Sequence, residues 1–306
     1  MFISGFSFHL YFLMNLFLQL LANGLVNGAL FALLAVAFGL VYRCARVFHI
    51  AFAGLFLLGP YTSWWVSSRL GFGIWAAIPM GMLGGAVASW LSERVLYRPL
   101  MRRRASPAAV IVASLGFFVL VVNLVALGFG NEVWVIERGL SHRVMLGPVG
   151  LTVIQIWQFF LGVTVVAALD WSTRRLKMFK ILWAMGEEPE LVPVLGLPMD
   201  RYRSILFLLS GALSALAGGL IGYDVGIDPQ MGMSYLLIAA VAVLAGGIDS
   251  YRGWVLGGFA VAVLHSLTVW QFSAKWIDLA TFAVLIAVLV FRPQGMLGIR
   301  KRLEEI

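Results

Sequence analysis

The chain has little of what most soluble proteins depend on. Lysine, arginine, aspartate and glutamate together make up 12% of its 306 residues, against about 25% in a soluble domain. It has one cysteine, Cys44, which excludes an internal disulfide. Arg43 and Arg46 beside it would favour a thiolate, but a plain thiol at a helix end is the simpler reading. The four histidines, His9, His49, His142 and His265, lie far apart and lack metal-ligand spacing. There is no G-x-x-x-x-G-K-[ST] run, so this chain does not hold ATP as a phosphate loop does, and neither HExxH nor GxSxG occurs. No catalytic constellation, metal site or resident cofactor is expected, and the reading is that the chain is not an enzyme. No basic segment stands apart from the apolar ones, which argues against a nucleic-acid partner. No lysine or arginine precedes the first apolar run, so that run does not have the form of a cleaved signal peptide.

What the chain has in excess is apolar length. Hydrophobic residues make up 61% of it and the mean hydropathy is +0.95. The class is therefore all-α, a polytopic transmembrane helix bundle, since a span needs about 20 apolar residues. Spans are expected near 19–42, 48–68, 72–96, 107–130, 151–171, 204–223, 233–247, 254–270 and 276–291. Nine is the best count within a range of eight to ten, and the residues before Gln19 are read as a helix at the outer interface or extending from it. With nine spans the basic segments Arg43/Arg46, Arg94–Arg104, Arg174–Lys180, Arg252 and Arg292–Arg302 all fall on one side. Arginine and lysine accumulate on the cytoplasmic side and meet anionic lipid there. This places the N-terminus in the periplasm and the C-terminus in the cytoplasm. The whole chain, 1–306, reads as one membrane domain, with a cytoplasmic loop at 174–203 and a cytoplasmic tail at 292–306.

Polar residues inside spans are expensive and draw attention to themselves. Asn23 and Asn27 are one turn apart and share a helix face; they line a pathway or bond to a neighbouring helix. Asn123 and His265 suit helix–helix hydrogen bonds, and His49, near the start of the second span, has the option of facing water. These five are the candidate solute-path residues. Mid-span carboxylates are almost absent, which suits a neutral or zwitterionic solute better than proton coupling. Small residues at four-residue spacing (Gly24, Gly28, Ala32; Gly81, Gly85, Ser89; Gly211, Ala215, Gly219) let backbones approach closely.

The longest polar interruption, Arg174 to Arg203, begins basic, turns acidic at Glu187, Glu188 and Glu190, and is broken by Pro189, Pro193 and Pro198. Together with ERVLYRPL (Glu93–Leu100), ASLGFFVLVVN (Ala113–Asn123), SGALSALAGGL (Ser210–Leu220), GGIDSYRG (Gly246–Gly253) and FRPQGMLG (Phe291–Gly298), it gives an ordered set of motifs. In this order they resemble the LivH-type permease subunits of ATP-binding-cassette importers for branched-chain amino acids, from about residue 20 onward. The resemblance implies a bacterial inner-membrane permease working with a homologous second permease, two cytoplasmic ATPase subunits that bind ATP and magnesium, and a periplasmic solute-binding protein. It also implies that Glu187, Glu188, Pro189, Glu190, Leu195 and Gly196 form the segment that couples to the ATPase.

The chain departs from the family pattern at the second-span opening, where His49, Phe52 and Gly54 replace polar Asn, His and Glu. It departs again at Pro193, which stands where alanine is usual, and at the turn of Asp249, Tyr251 and Arg252. The first departure leaves urea, short amides or aromatic breakdown products as alternative solutes to branched-chain amino acids. A self-sufficient secondary transporter or channel is the alternative of another class, disfavoured by the lack of intramembrane carboxylates. A membrane enzyme is weaker still, for want of a clustered nucleophile.

Overall fold

A computed structural model describes residues 2–135, 142–292 and 294–298, with side chains from Leu13 onward. The side chain of His9 and most of the 292–306 tail therefore lie outside what is described. Among the described residues, nine helices of 15 or more residues lie at the expected span positions: α1 Phe2–Ala45, α2 Phe52–Leu70, α3 Ile74–Ser92, α5 Pro107–Phe129, α6 Val153–Arg175, α9 Met199–Val225, α10 Met231–Gly246, α11 Tyr251–Gln271 and α12 Ile277–Phe291. Three short ones, α4 Arg98–Arg102, α7 Lys177–Glu187 and α8 Leu191–Val194, lie between them, with a two-stranded antiparallel hairpin, β1 Arg143–Leu146 and β2 Val149–Thr152.

Local sequence accounts for several boundaries. Pro107 occupies the first turn of α5, and Ser106 caps it by accepting from Ala109 N at 3.2 Å. Thr152 and Gln155 form a reciprocal capping box that starts α6. The fifth span thus begins with a strand at Leu151 and turns helical only at Val153. The sixth begins earlier than expected: Asp200, Arg201 and Arg203 belong to the first turn and a half of α9, not to a loop. The residues before Gln19 are helical and continuous with the span. At 1.5 Å per residue the 44 residues of α1 run about 66 Å, well beyond a hydrocarbon core of about 30 Å.

Among the described residues, seven helices are long and apolar enough to cross a membrane; α2 and α10 are not among them. The helix α10 is short, at 16 residues. The helix α2 carries Pro60, Tyr61, Thr62 and Ser63, and tolerates them because α3, α5, α9 and α10 enclose it. Hydropathy and position separate at the two ends of the chain. The apolar stretch of α1 is 89% buried inside the protein and that of α12 only 6%. The first is the axis of the bundle, clasped by α6, α9, α10 and α11, and the second is an outer helix.

The small-residue runs make the close crossings. Gly85 and Ser89 of α3 pack on Gly211 and Ala215 of α9, and the Ser89 hydroxyl donates to Phe207 O at 2.6 Å. Pro60 has no N–H for the carbonyl of Phe56, and α9 comes down on that point because residue 218 is glycine: a methyl there would lie 2.6 Å from Phe56 O. At one end, the segment 294–298 closes α10, Met296 N and Leu297 N donating to Ala245 O and Gly246 O at 2.8 and 2.9 Å.

Candidate functional site

The end of the bundle that carries the basic segments is also where the motifs meet. The interruption at 174–203 is mostly helical. The helix α7 is amphipathic: Phe179, Leu182 and Met185 face the bundle, and Lys177 and Lys180 face away. It is tied to the end of α1 by two arginines. Arg43 donates to Glu187 Oε1 at 2.8 Å and stacks 4.1 Å over the Trp183 ring. Arg46, in the left-handed region at φ 55°, donates to Gly186 O at 2.7 Å. Gly186 permits this contact, since a side chain there would collide with the Arg43 carbonyl. All six candidate coupling residues, Glu187, Glu188, Pro189, Glu190, Leu195 and Gly196, are exposed, and Glu187 is the one tied to the bundle, by its ion pair with Arg43. Cys44 is buried beneath Gly186.

Pro189 falls in the break between α7 and α8, and Pro198 stands at the start of α9. Pro193 lies inside α8, a single turn, where its missing N–H has no helical partner to lose. Gly196, at φ 73°, turns the chain out of α8 and donates to Pro193 O at 2.9 Å. Val192 anchors α8 to the bundle, while Leu191, Val194 and Leu195 stand exposed between Glu190 and Gly196. The result is an apolar knob with acidic flanks at the basic end of the protein.

The far side of this segment is clamped as firmly. A five-residue π-helical turn, Glu93–Tyr97, joins α3 to α4. The Glu93 side chain is fully buried, accepts from Ser204 Oγ at 2.8 Å, and lies 3.4 Å from Arg98 Nε. Asp200 accepts from Arg102 at 2.6 Å and lies 3.7 Å from both Arg98 and Arg203. The start of α9 is thereby fixed to α4. Next to this network His49 Nδ1 meets Tyr97 Oη at 2.6 Å, Tyr97 Oη meets Ser114 Oγ at 2.6 Å, and Ser114 Oγ accepts from Ala51 N at 2.8 Å. His49, in the α1–α2 connector, does not face water. It is enclosed by Phe52, Tyr97 and Phe207, and burial pushes its pKa down to about 3, so it is neutral.

The candidate solute-path residues are not gathered in one place. Gln19 donates to Asn23 Oδ1 at 3.1 Å and holds the hairpin by exchanging two hydrogen bonds with Gly150. Gln19 and Asn23 line a polar cavity of about 330 Å³ at the hairpin end, with Arg143 and Gln155. Asn27 is exposed one turn further along α1. Asn123 lies on the outer face of α5 and bonds its own helix at Val119 O, 2.7 Å away, rather than a neighbouring helix. His265 joins α11 to α12 through Thr281 at 2.8 Å, the interhelical bond expected of it. Asp249 lies 3.6 Å from Arg43. Glu93, Tyr97, Ser114 and Arg203 were not among the candidates, although ERVLYRPL and ASLG carried three of them; a glutamate beside an apolar run was the available signal. No group of three His, Cys, Asp or Glu able to hold a metal occurs among the described residues.

The fold is that of a multi-pass helical membrane protein with a reinforced, partly exposed segment at its basic end. The chain belongs to the branched-chain amino acid transport system / permease component family, whose model matches residues 20–289. It is 27% identical over 95% of its length to the high-affinity branched-chain amino acid transport system permease protein LivH of Salmonella typhimurium, covering 98% of that protein. With the corresponding BraD of Pseudomonas aeruginosa it shares 28% identity over the same fractions. Similarity also extends to the autoinducer 2 import system permease protein LsrC of Yersinia pseudotuberculosis, 28% identical over 72% of this chain and 62% of that one. A solved structure, PsaBC from Streptococcus pneumoniae in complex with Fab, shares the fold at a TM-score of 0.50 and 17% identity, over 91% of this chain and 92% of that one.

Proposed function

We propose that this chain is one permease subunit of an ATP-driven importer in a bacterial inner membrane. It carries a branched-chain amino acid or a related small neutral or zwitterionic solute. It pairs with a homologous second permease, receives solute from a periplasmic binding protein, and is driven by two cytoplasmic ATPase subunits that bind ATP and magnesium. The basic segments face the cytoplasm, with the N-terminus outside and the C-terminus inside, as their charge favours. The residues 174–203 then form the coupling segment of a single membrane domain.

The observation that carries this reading is the exposed apolar knob of α8 between two clamps. An apolar surface in water is stabilised by a partner. The clamps hold the end of α7, just before α8, to the end of α1 through Arg43 and Arg46, and the start of α9, just after it, to α4 and the Glu93–Tyr97 turn through Asp200 and Glu93. A push on α8 would thus move the central helix and the α3–α9 pair as rigid bodies. A solute-path role for Asn23 fits its place in the lining of a polar cavity, and Asn27 is exposed one turn along the same helix; His49, Asn123 and His265 are each engaged in a local bond.

The test is uptake of labelled leucine into proteoliposomes holding the complete importer. Uptake should require ATP and all subunits. Uptake driven by an ion gradient with the ATPase subunits omitted would replace this reading with that of a secondary transporter.

A further inference from the structure

A groove on the outside of the bundle has no part in the coupling or solute-path readings. Its floor is α1 at Ala29 and Ala32, and its walls include Val163 and Ala167 of α6 and Leu256 and Phe259 of α11. It encloses about 380 Å³. At the basic end its mouth carries Asp170 and Arg252, and the Tyr251 hydroxyl joins the two walls there by donating to Val166 O at 2.7 Å.

The charges at the mouth do not cancel. Asp170 is already engaged by Arg174, which donates to both its oxygens at 2.9 and 2.6 Å. Arg252 is exposed and has no ion pair among the described residues. Trp171, next to Asp170 on α6, is also exposed, as aromatic residues are at the membrane–water boundary. The mouth therefore lies at the depth of lipid head groups. From Arg252 to Phe259 the α11 axis rises about 10 Å, which is roughly two-thirds of one leaflet's hydrocarbon depth of about 15 Å.

We propose that this groove binds an anionic glycerophospholipid, with one acyl chain between the α6 wall at Val163 and Ala167 and the α11 wall at Leu256 and Phe259, and the phosphate on Arg252. An acyl chain matches the apolar lining, which offers a polar solute no partners. Arg252, the cation at this mouth with no ion pair among the described residues, prefers a lipid with net negative charge to a zwitterionic one.

The test uses the full-length chain in nanodiscs of mixed phosphatidylcholine and phosphatidylglycerol, with the lipid retained after mild detergent release counted by native mass spectrometry. The wild type should retain phosphatidylglycerol in preference. Arg252→Ala should lower that retention about fivefold, the factor matching about 1 kcal/mol for one basic residue at an anionic surface. Ala167→Trp, which fills the groove without changing charge, should lower retention of both lipids. Arg103→Ala, which removes an exposed cation outside the groove, should leave retention unchanged. Equal retention in the wild type and Arg252→Ala would overturn the proposal, as would an equal loss in Arg103→Ala. So would a photoreactive label at Ala167→Cys that couples to a second protein chain in the assembled importer instead of to lipid, because the groove would then be a subunit interface.

Discussion

Replacing Val194 and Leu195 together by aspartate is the sharpest test of the coupling surface. Val194 is 81% exposed, Leu195 73% and Leu191 55%, so little of their surface contributes to the fold of this chain. Fully burying one such side chain is worth about 1.5–3 kcal/mol. Covering the exposed parts of all three stabilises a complex by on the order of 4 kcal/mol, about a thousandfold in affinity. Aspartates at 194 and 195 remove most of that and add charge beside Glu188 and Glu190. The fold should tolerate the change, since substitutions at exposed positions usually stay within about 0.5 kcal/mol. Val192→Asp is the contrast: Val192 is buried, and its replacement should destabilise the chain itself. The assay is recovery of the ATPase subunits with the tagged permease from membranes, alongside leucine uptake. The double variant should reach the membrane in normal amount, lose the ATPase subunits and fail to take up solute. If the ATPase subunits are recovered at wild-type ratio, the α8 knob is not their docking surface.

Glu93→Gln should lower stability by about 3 kcal/mol, because it leaves Arg98 and Arg203 beside a buried neutral amide with only Asp200 to balance them; an unchanged melting temperature in detergent would show that the pair is not stabilising. Gly59→Ala places a methyl on the Ala215 backbone and should cost about 1–3 kcal/mol. Gly116→Ala meets nothing within 4 Å and should leave the melting temperature equal or higher; the same assay reads both. For His49, the folded pKa of about 3 lies below the ordinary 6.5, so as pH falls the unfolded chain takes the proton first. Its contribution to stability is complete above about pH 6.5 and is lost toward pH 3 by up to about 1.4 kcal/mol per pH unit. The wild type should therefore melt lower at pH 5 than at pH 7.5, and His49→Gln should narrow that difference; an undiminished gap would assign the pH dependence elsewhere.

Spans were legible wherever apolar length and end signals coincided. Ser106–Pro107 marks the start of α5 to the residue. The start of α9 was hidden because Asp200, Arg201 and Arg203 read as loop; they are helical because Asp200 pairs with Arg102 and lies beside Arg98 of another helix, a partner no local pattern displays. The motifs were visible, but their work was not. Gly246 and Gly253 are a backbone-to-backbone contact, the 294–298 segment closes α10, and Tyr97 and Ser114 enclose His49. In the candidate coupling segment the prolines and acids could be seen, yet nothing local separated Glu187, ion-paired to Arg43, from Glu188 and Glu190, which have no ion pair among the described residues. The same holds for Pro193, which had no explanation until its place in the first turn of α8 gave it one.

By itself the sequence determined that this protein is a polytopic helix bundle with one basic end, because apolar length and charge placement act locally and add along the chain. Tertiary structure alone decided which helices are central. The α1 and α12 segments are similarly hydrophobic, yet one is the axis and the other the rim, since a membrane solvates both alike and only shape complementarity, glycine against backbone and arginine against carboxylate, distinguishes inside from outside.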